Sequence, residues 1–268
     1  MNLNRAGVIL PMESRLDFRY SIPAPPEGPL VRLSVQEAER LLLENLSTAK
    51  QDPTAALWEL ARFYSEQKDH LKAFDHLRKL IQLFPDAERK ASCVLAMGQT
   101  MEQAGDYAAA VRYYKEALSL EPVQTATWYF INNNLGFCLN TLGDFAEGEI
   151  YCRKAVEIDP KRPNGYKNLG IALKGLGRIA EAVRCFVAAT QANAADPRAS
   201  RLLEELLRER PDLEFQFAKE AQLCRKAIEV AAQHNMQLQP VIHTGISKHL
   251  ILLWAKWRRF FGRIFHAR

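Results

Sequence analysis

LGFCLNTLGDFAEGEIYCRKAVEIDP, residues 135–160, and LGIALKGLGRIAEAVRCFVAATQANA, residues 169–194, carry the same landmarks 34 residues apart. Leu135-Gly136 returns as Leu169-Gly170, Gly143 as Gly177, Gly148 as Ala182, Cys152 as Phe186 and Ala155 as Ala189. Upstream, Met97-Gly98, Gly105, Ala110, Tyr114, Ala117 and Pro122 fit the same template. A looser copy reads Leu60-Ala61, Tyr64, Ala73, Leu77, Leu80 and Pro85. Each copy reads as two short amphipathic helices joined by a tight turn. One such unit cannot bury its apolar face alone, so the copies must stack on one another.

The landmarks resemble those of the tetratricopeptide repeat family. Copies are placed at 54–87, 91–124, 129–162 and 163–196, and the resemblance implies an all-α, right-handed solenoid of helix–turn–helix units. Gly98, Gly136, Gly170, Ala110 and Ala182 let the two helices of a unit approach closely. Tyr64, Tyr114 and Phe186 are expected to fill the space between neighbouring units. Pro85, Pro122 and Pro160 fall where a ring with no N–H stops a second helix. Gly105, Gly143 and Gly177 sit at the inter-helix turns, where a left-handed backbone is needed. Two departures stand out: Gly148 and Cys152 replace the usual Ala and aromatic, and Ala194 replaces the closing Pro.

Around the repeats, residues 1–33 read as unstructured, with Pro-rich 22–29 unable to be helical. Ser34 with Glu37 three residues on forms a capping box, opening a helical N-terminal cap within 34–53. Asp196-Pro197 and Pro211-Asp212 each open a helix of a C-terminal cap, 197–234. A linker is expected at 235–245 and a last helix within 246–268.

The chain has 268 residues, 48% hydrophobic and 25% charged, an ordinary globular composition. No segment approaches the ~18 apolar residues of a membrane span, and the N-terminus does not read as a signal peptide. Cys93, Cys138, Cys152, Cys185 and Cys224 contain no C-x-x-C pair, so they read as reduced, mostly buried thiols of a cytoplasmic protein. The net charge of +5 belongs to one end. No acid follows Glu229, while Lys248, Lys256, Arg258, Arg259, Arg263 and Arg268 do; the remaining chain carries 30 bases against 31 acids.

In the family, the first helices of successive repeats line a concave groove. The resemblance therefore points inward Phe130, Asn133, Asn134, Phe137 and Asn140 of the third unit, and Asn164, Lys167, Asn168, Ile171 and Lys174 of the fourth. It implies that the Asn134 and Asn168 amides hold a peptide backbone, each donating and accepting at once. Phe130 and Phe137 would supply apolar contact, and Lys167 and Lys174 would favour an acidic segment. Glu59, Glu66 and Glu102 lie early and Lys167, Lys174, Arg198 and Arg201 late, which orients a ligand's acidic end toward the fourth unit. The family's two-carboxylate clamp is matched only at Asn134; its other positions read Leu95, Gln99, Asn164 and Asn168. The plain alternative is that the groove amides are merely solvated.

In the tail, Leu250, Leu253, Trp254, Trp257, Phe260, Phe261, Ile264 and Phe265 fall at helical spacing on an arc of about 140°. Lys256, Arg259, Arg263 and His266 lie opposite, with Arg258 at the flank. An aromatic face, a basic face and no acid suit a helix lying on an anionic membrane surface. The same helix could dock in a partner's groove or fold back on the solenoid; nucleic acid leaves the apolar face unexplained.

None of G-x-x-x-x-G-K-[ST], G-x-G-x-x-G, H-E-x-x-H or G-x-S-x-G occurs, and the His residues are scattered, His70 and His76 reading as surface or packing groups. The expectation is therefore no enzyme, no cofactor and no metal site. The chain reads as an interaction scaffold binding a partner peptide or helix in its groove. The alternative is a peripheral membrane tether using the tail.

Overall fold

The computed structural model describes residues 20–22, 31–49 and 51–238. The tail 246–268, with Trp254, Lys256, Trp257, Arg258, Arg259, Phe260, Phe261 and Arg263, lies outside the described residues. Among those described, eleven α-helices follow one another: α1 (Val35–Thr48), α2 (Thr54–Glu66), α3 (His70–Leu83), α4 (Ala87–Ala104), α5 (Tyr107–Ser119), α6 (Thr125–Thr141), α7 (Phe145–Ile158), α8 (Pro163–Gly175), α9 (Ile179–Ala192), α10 (Arg198–Glu209) and α11 (Ala218–Leu238). The pairs α2/α3, α4/α5, α6/α7 and α8/α9 each pack together and onto the next pair, an α-solenoid.

Local chemistry sets the helix ends. Ser34 Oγ accepts from the Glu37 N–H at 3.2 Å, and the Glu37 carboxylate accepts from the Ser34 N–H at 2.9 Å, closing the capping box. Asp69, Asp106 and Asp144 cap the second helices of the first three repeats through the N–H groups of Lys72, Ala109 and Glu147. The residue before each of these caps has a left-handed backbone. Gly105 (φ 82°) and Gly143 (φ 86°) take it at no steric cost, as does Gly177 (φ 75°) in the fourth repeat; in the first, Lys68 takes it at φ 62°.

Packing explains the landmarks. A methyl added to Gly170 would meet Phe186 Cε1 at 2.6 Å, and Gly98 makes the same room for the Tyr114 ring. The large residues thus sit first against the glycine of their own repeat, not only between neighbours as the spacing suggests. Tyr114 also joins one cluster with Ile131, Leu135 and Cys138 of the next repeat. The third repeat solves the problem differently. Cys152 is small, and the Asn140 side chain enters the space that Gly148 leaves open. Its amide donates to Cys152 Sγ at 3.8 Å and to the Asn168 carbonyl at 2.8 Å.

The core is a series of clusters along the stack, the last of them running from the third repeat into the C-terminal cap. At one end Ala38 and Leu42 of α1 close over Leu60, Phe63, Tyr64 and Ala73. At the other, Leu203, Leu206, Leu207, Phe217 and Cys224 cover Leu173, Val183 and Phe186. Each fully buried large side chain contributes on the order of 1.5–3 kcal/mol.

Two expectations need correction. Within 1–33, β1 (Tyr20–Ile22) pairs antiparallel with β2 (Val31–Leu33), Tyr20 opposite Leu33 and Ile22 opposite Val31. The Pro-rich stretch forbids a helix, but the β-branched and aromatic residues flanking it suit strands. In the C-terminal cap, Pro211 opens only a 3₁₀ turn, Pro211–Leu213, and α11 begins at Ala218. That helix runs to Leu238, the last described residue, past the expected linker start at 235.

Candidate functional site: the concave face of the repeats

The first helices α4, α6 and α8 lie side by side, α6 touching both neighbours. Along them runs a polar spine that crosses three repeats. It starts at Glu102 of α4, whose carboxylate accepts from the Tyr114 hydroxyl at 2.7 Å. Burial and the Glu102 charge push that hydroxyl's pKa well up, while a hydrogen bond with the Asn134 side chain pulls the other way. Asn134 Oδ1 accepts from Asn133 Nδ2 at 3.0 Å. Asn168 Nδ2 of α8 then donates to Asn133 Oδ1 at 3.1 Å and to the Asn133 carbonyl at 3.4 Å. Asn140 closes the spine on the Asn168 carbonyl.

This geometry corrects the role given to Asn168. It is 2% exposed and its amide N–H groups are committed to the preceding repeat. Asn133 is 7% exposed and serves as its acceptor. Both act as inter-repeat ties and not as groups offered to a peptide. The signal for this was available only as adjacency: Asn132, Asn133 and Asn134 stand together on a helix, so their side chains cannot all face the same side. Asn134 stays part-exposed at the edge of the spine.

The aromatic pair is held differently. Phe130 and Phe137 are part-buried on α6 and pack against the cluster around Tyr114 and Leu135. The Arg162 guanidinium carbon lies 4.9 Å from the Phe130 ring centre and 4.8 Å from that of Tyr129, which contacts Phe130 edge-on. Phe137 meets Tyr107 edge-on at 6.0 Å and carries the Lys167 ammonium 6.0 Å above its ring. The fold therefore brings Phe137 and Lys167 into one cation–ring contact. Arg162 escaped the sequence reading because it sits at the end of a repeat, where the periodicity assigns no direction.

The basic end of the groove is partly neutralised. Lys174 pairs with Glu209 of α10 at 2.8 Å. Arg198 is held by Asp196 and donates to Asn164 Oδ1 at 3.0 Å. A charge gradient counted from the inward positions alone overstates the positive end, because the opposing acids, Glu209 of the cap and Asp196 at the end of the fourth repeat, lie outside those positions. At the acidic end, Arg62 bonds Glu59 and lies 3.8 Å from Glu66, whose carboxyl pKa burial raises.

No three His, Cys, Asp or Glu side chains converge to hold a metal among the described residues. All five cysteines are unpaired, and burial pushes their thiols up, Cys152 to about 12 and Cys185 to about 11, so they stay protonated near neutral pH. His76 is buried and stacked on Tyr64 with ring centres 5.5 Å apart, a packing role.

Comparison with known proteins matches these features. Two family models, each described as Tetratricopeptide repeat, match residues 53–120 and 95–163. Photosystem I assembly protein Ycf3 of Prochlorococcus marinus (strain NATL1A) is 29% identical over 122 residues, 44% of this chain and 70% of that protein. Human Tetratricopeptide repeat protein 7A is 28% identical over 171 residues, 61% of this chain but 19% of that protein. The crystal structure of BtubC (BKLC) from P. vanneervenii shares the fold with a TM-score of 0.60 at 18% identity, covering 80% of this chain and 94% of that one.

Proposed function

We propose, on the premise that this chain is a tetratricopeptide-repeat protein, that it is an interaction scaffold holding a segment of a partner protein along α6 and α8. Tetratricopeptide repeats mediate protein–protein interaction, and such repeat scaffolds are typically non-enzymatic. The observation that carries the reading is the part-exposed group Phe130, Asn134, Phe137 and Lys167. It joins apolar rings to an amide and a cation on a rigid helical surface. Rigid display of a few apolar anchors beside polar groups favours binding, because little side-chain freedom remains to be lost. A relative described as an assembly protein fits a scaffold role. Lys167 and Arg162 favour an acidic or carboxylate-bearing segment over a basic one.

A displayed peptide library panned on the full chain tests this. Peptides selected on the wild type should lose at least tenfold in retention on a Phe130→Ala/Phe137→Ala variant and several-fold on Asn134→Ala, read at a temperature where circular dichroism shows each variant still folded, because both rings also pack against the Tyr114 cluster. Equal retention on all three proteins would remove the groove reading.

The tail supports a second reading, a cytoplasmic protein held peripherally on an anionic membrane surface. The helical spacing of its aromatic and basic residues in the sequence carries that reading, and no helix among the described residues is long and apolar enough to cross a membrane. Co-sedimentation with anionic and neutral vesicles at low and high salt tests it. Salt-sensitive binding to anionic vesicles alone is the expected result.

A further inference from the structure

We infer that the segment held along α6 and α8 is an amphipathic α-helix of a partner protein, its inner face carrying two apolar residues seven apart with one polar residue between them; this rests on reading the concave face as a ligand groove. The accessible surface of α6 sets the spacing. From Phe130 to Thr141 only Phe130, Asn134, Phe137 and Thr141 are accessible, and every other residue of that stretch is buried. The intervals of four, three and four make one stripe along one side, the pattern by which two helices mesh. Phe130 and Phe137 stand two turns apart, about 10 Å along the axis. A partner helix repeats its own inner face at that interval. An extended chain returns to the same face every second residue, about 7 Å, and falls out of step with the rings. Lys167, Ile171 and Lys174 form a like stripe on α8, which lies beside α6, and a third helix nests between two such rows.

Hydrogen bonding points the same way. An extended ligand must find partners for the backbone groups it turns toward the groove, or leave them unsatisfied. The asparagines of α6 and α8 offer no row of such partners. Asn168 donates to Asn133, Asn140 donates to the Asn168 carbonyl, and Asn164 Oδ1 accepts from Arg198. The unbonded side-chain oxygens of Asn140 and Asn168 are buried, out of a ligand's reach. Asn134 accepts from Asn133 and bonds the Tyr114 hydroxyl, which leaves it one amide N–H and one lone pair. That holds a single polar group and not the backbone of a strand. A helix arrives with its backbone already bonded. Asn134, set between two rings, then selects one polar residue on it, as a lone Asn in an apolar seam fixes the register of two helices.

Charge completes the description of the occupant. None of the seventeen residues of α6, Thr125–Thr141, is Asp, Glu, Lys, Arg or His. A charge buried against that stripe would have no counter-charge there, so the matching face of the partner is uncharged and its charged residues lie outward.

A random linear peptide library panned on the full chain supplies the probes. Peptides whose retention depends on Phe130 and Phe137 are synthesised and varied. Alanine scanning should give losses of at least tenfold at positions three, four and seven apart. A lactam bridge between outward residues i and i+4 should raise retention several-fold, and a central proline should lower it at least tenfold. Panning on Asn134→Leu, shown folded by circular dichroism, should exchange the central polar residue for an apolar one at unchanged spacing. Losses at every second residue, with the proline tolerated and the bridge inhibitory, would make the ligand an extended strand; that overturns the inference and leaves the scaffold reading standing. The inference also falls if the full chain alone sediments as a dimer that Phe137→Ala dissociates, since a second copy then fills the face. Recovery of no groove-dependent peptide removes the scaffold reading itself, and the helix with it.

Discussion

Lys68 sits at φ 62°, in the turn position that glycine holds in the other three repeats. A left-handed backbone costs a residue with a Cβ on the order of 1 kcal/mol, which glycine avoids. Lys68→Gly should therefore raise stability by about 0.5–1 kcal/mol and lift the melting temperature a few degrees. A lower melting temperature would show that the Lys68 side chain contributes more than its backbone costs. Asn168 makes the complementary point. Its position in the repeat was readable, but its commitment to Asn133 was not, because hydrogen-bond partners 35 residues away appear only when two helices are set side by side.

Between neighbouring elements, α6 has no cap of its own: Gln124 makes no side-chain bond at its start. The Glu88 carboxylate, from the first turn of α4, supplies one. It accepts from the Val123 and Gln124 N–H groups at 2.7 and 3.0 Å and from the Thr127 hydroxyl at 2.5 Å. Glu88→Ala should cost about 1–3 kcal/mol and speed amide exchange at Val123 and Gln124. Loss of stability with those amides still protected would assign the effect elsewhere. The third repeat offers a coupled pair. A methyl on Gly148 strikes the Asn140 amide, so Gly148→Ala should destabilise by about 1–3 kcal/mol. In an Asn140→Ala background most of that cost should vanish; an additive double variant in denaturant titration would refute the coupling.

Over the whole molecule, each cluster touches only its neighbours, so damage should stay local. Leu203→Ala, in the cluster of α10 with α8 and α9, should cost about 2–5 kcal/mol. Hydrogen exchange should then rise in α8 to α11 while α2 to α5 keep their protection. Uniform loss along the chain would mean a single cooperative unit. Recurrence of small and large residues at a fixed period was by itself enough to determine the all-α solenoid, and the Ser34–Glu37 spacing was enough to determine the capping box. The antiparallel strands, the late start of α11, the Asn140 solution to a missing aromatic and the burial of Asn133 and Asn168 were decided by tertiary structure. The physical reason is the same in each case. Periodicity says which face of a helix turns inward, but whether an inward polar group meets solvent or another helix depends on how closely the backbones pack, and that is set jointly by both partners.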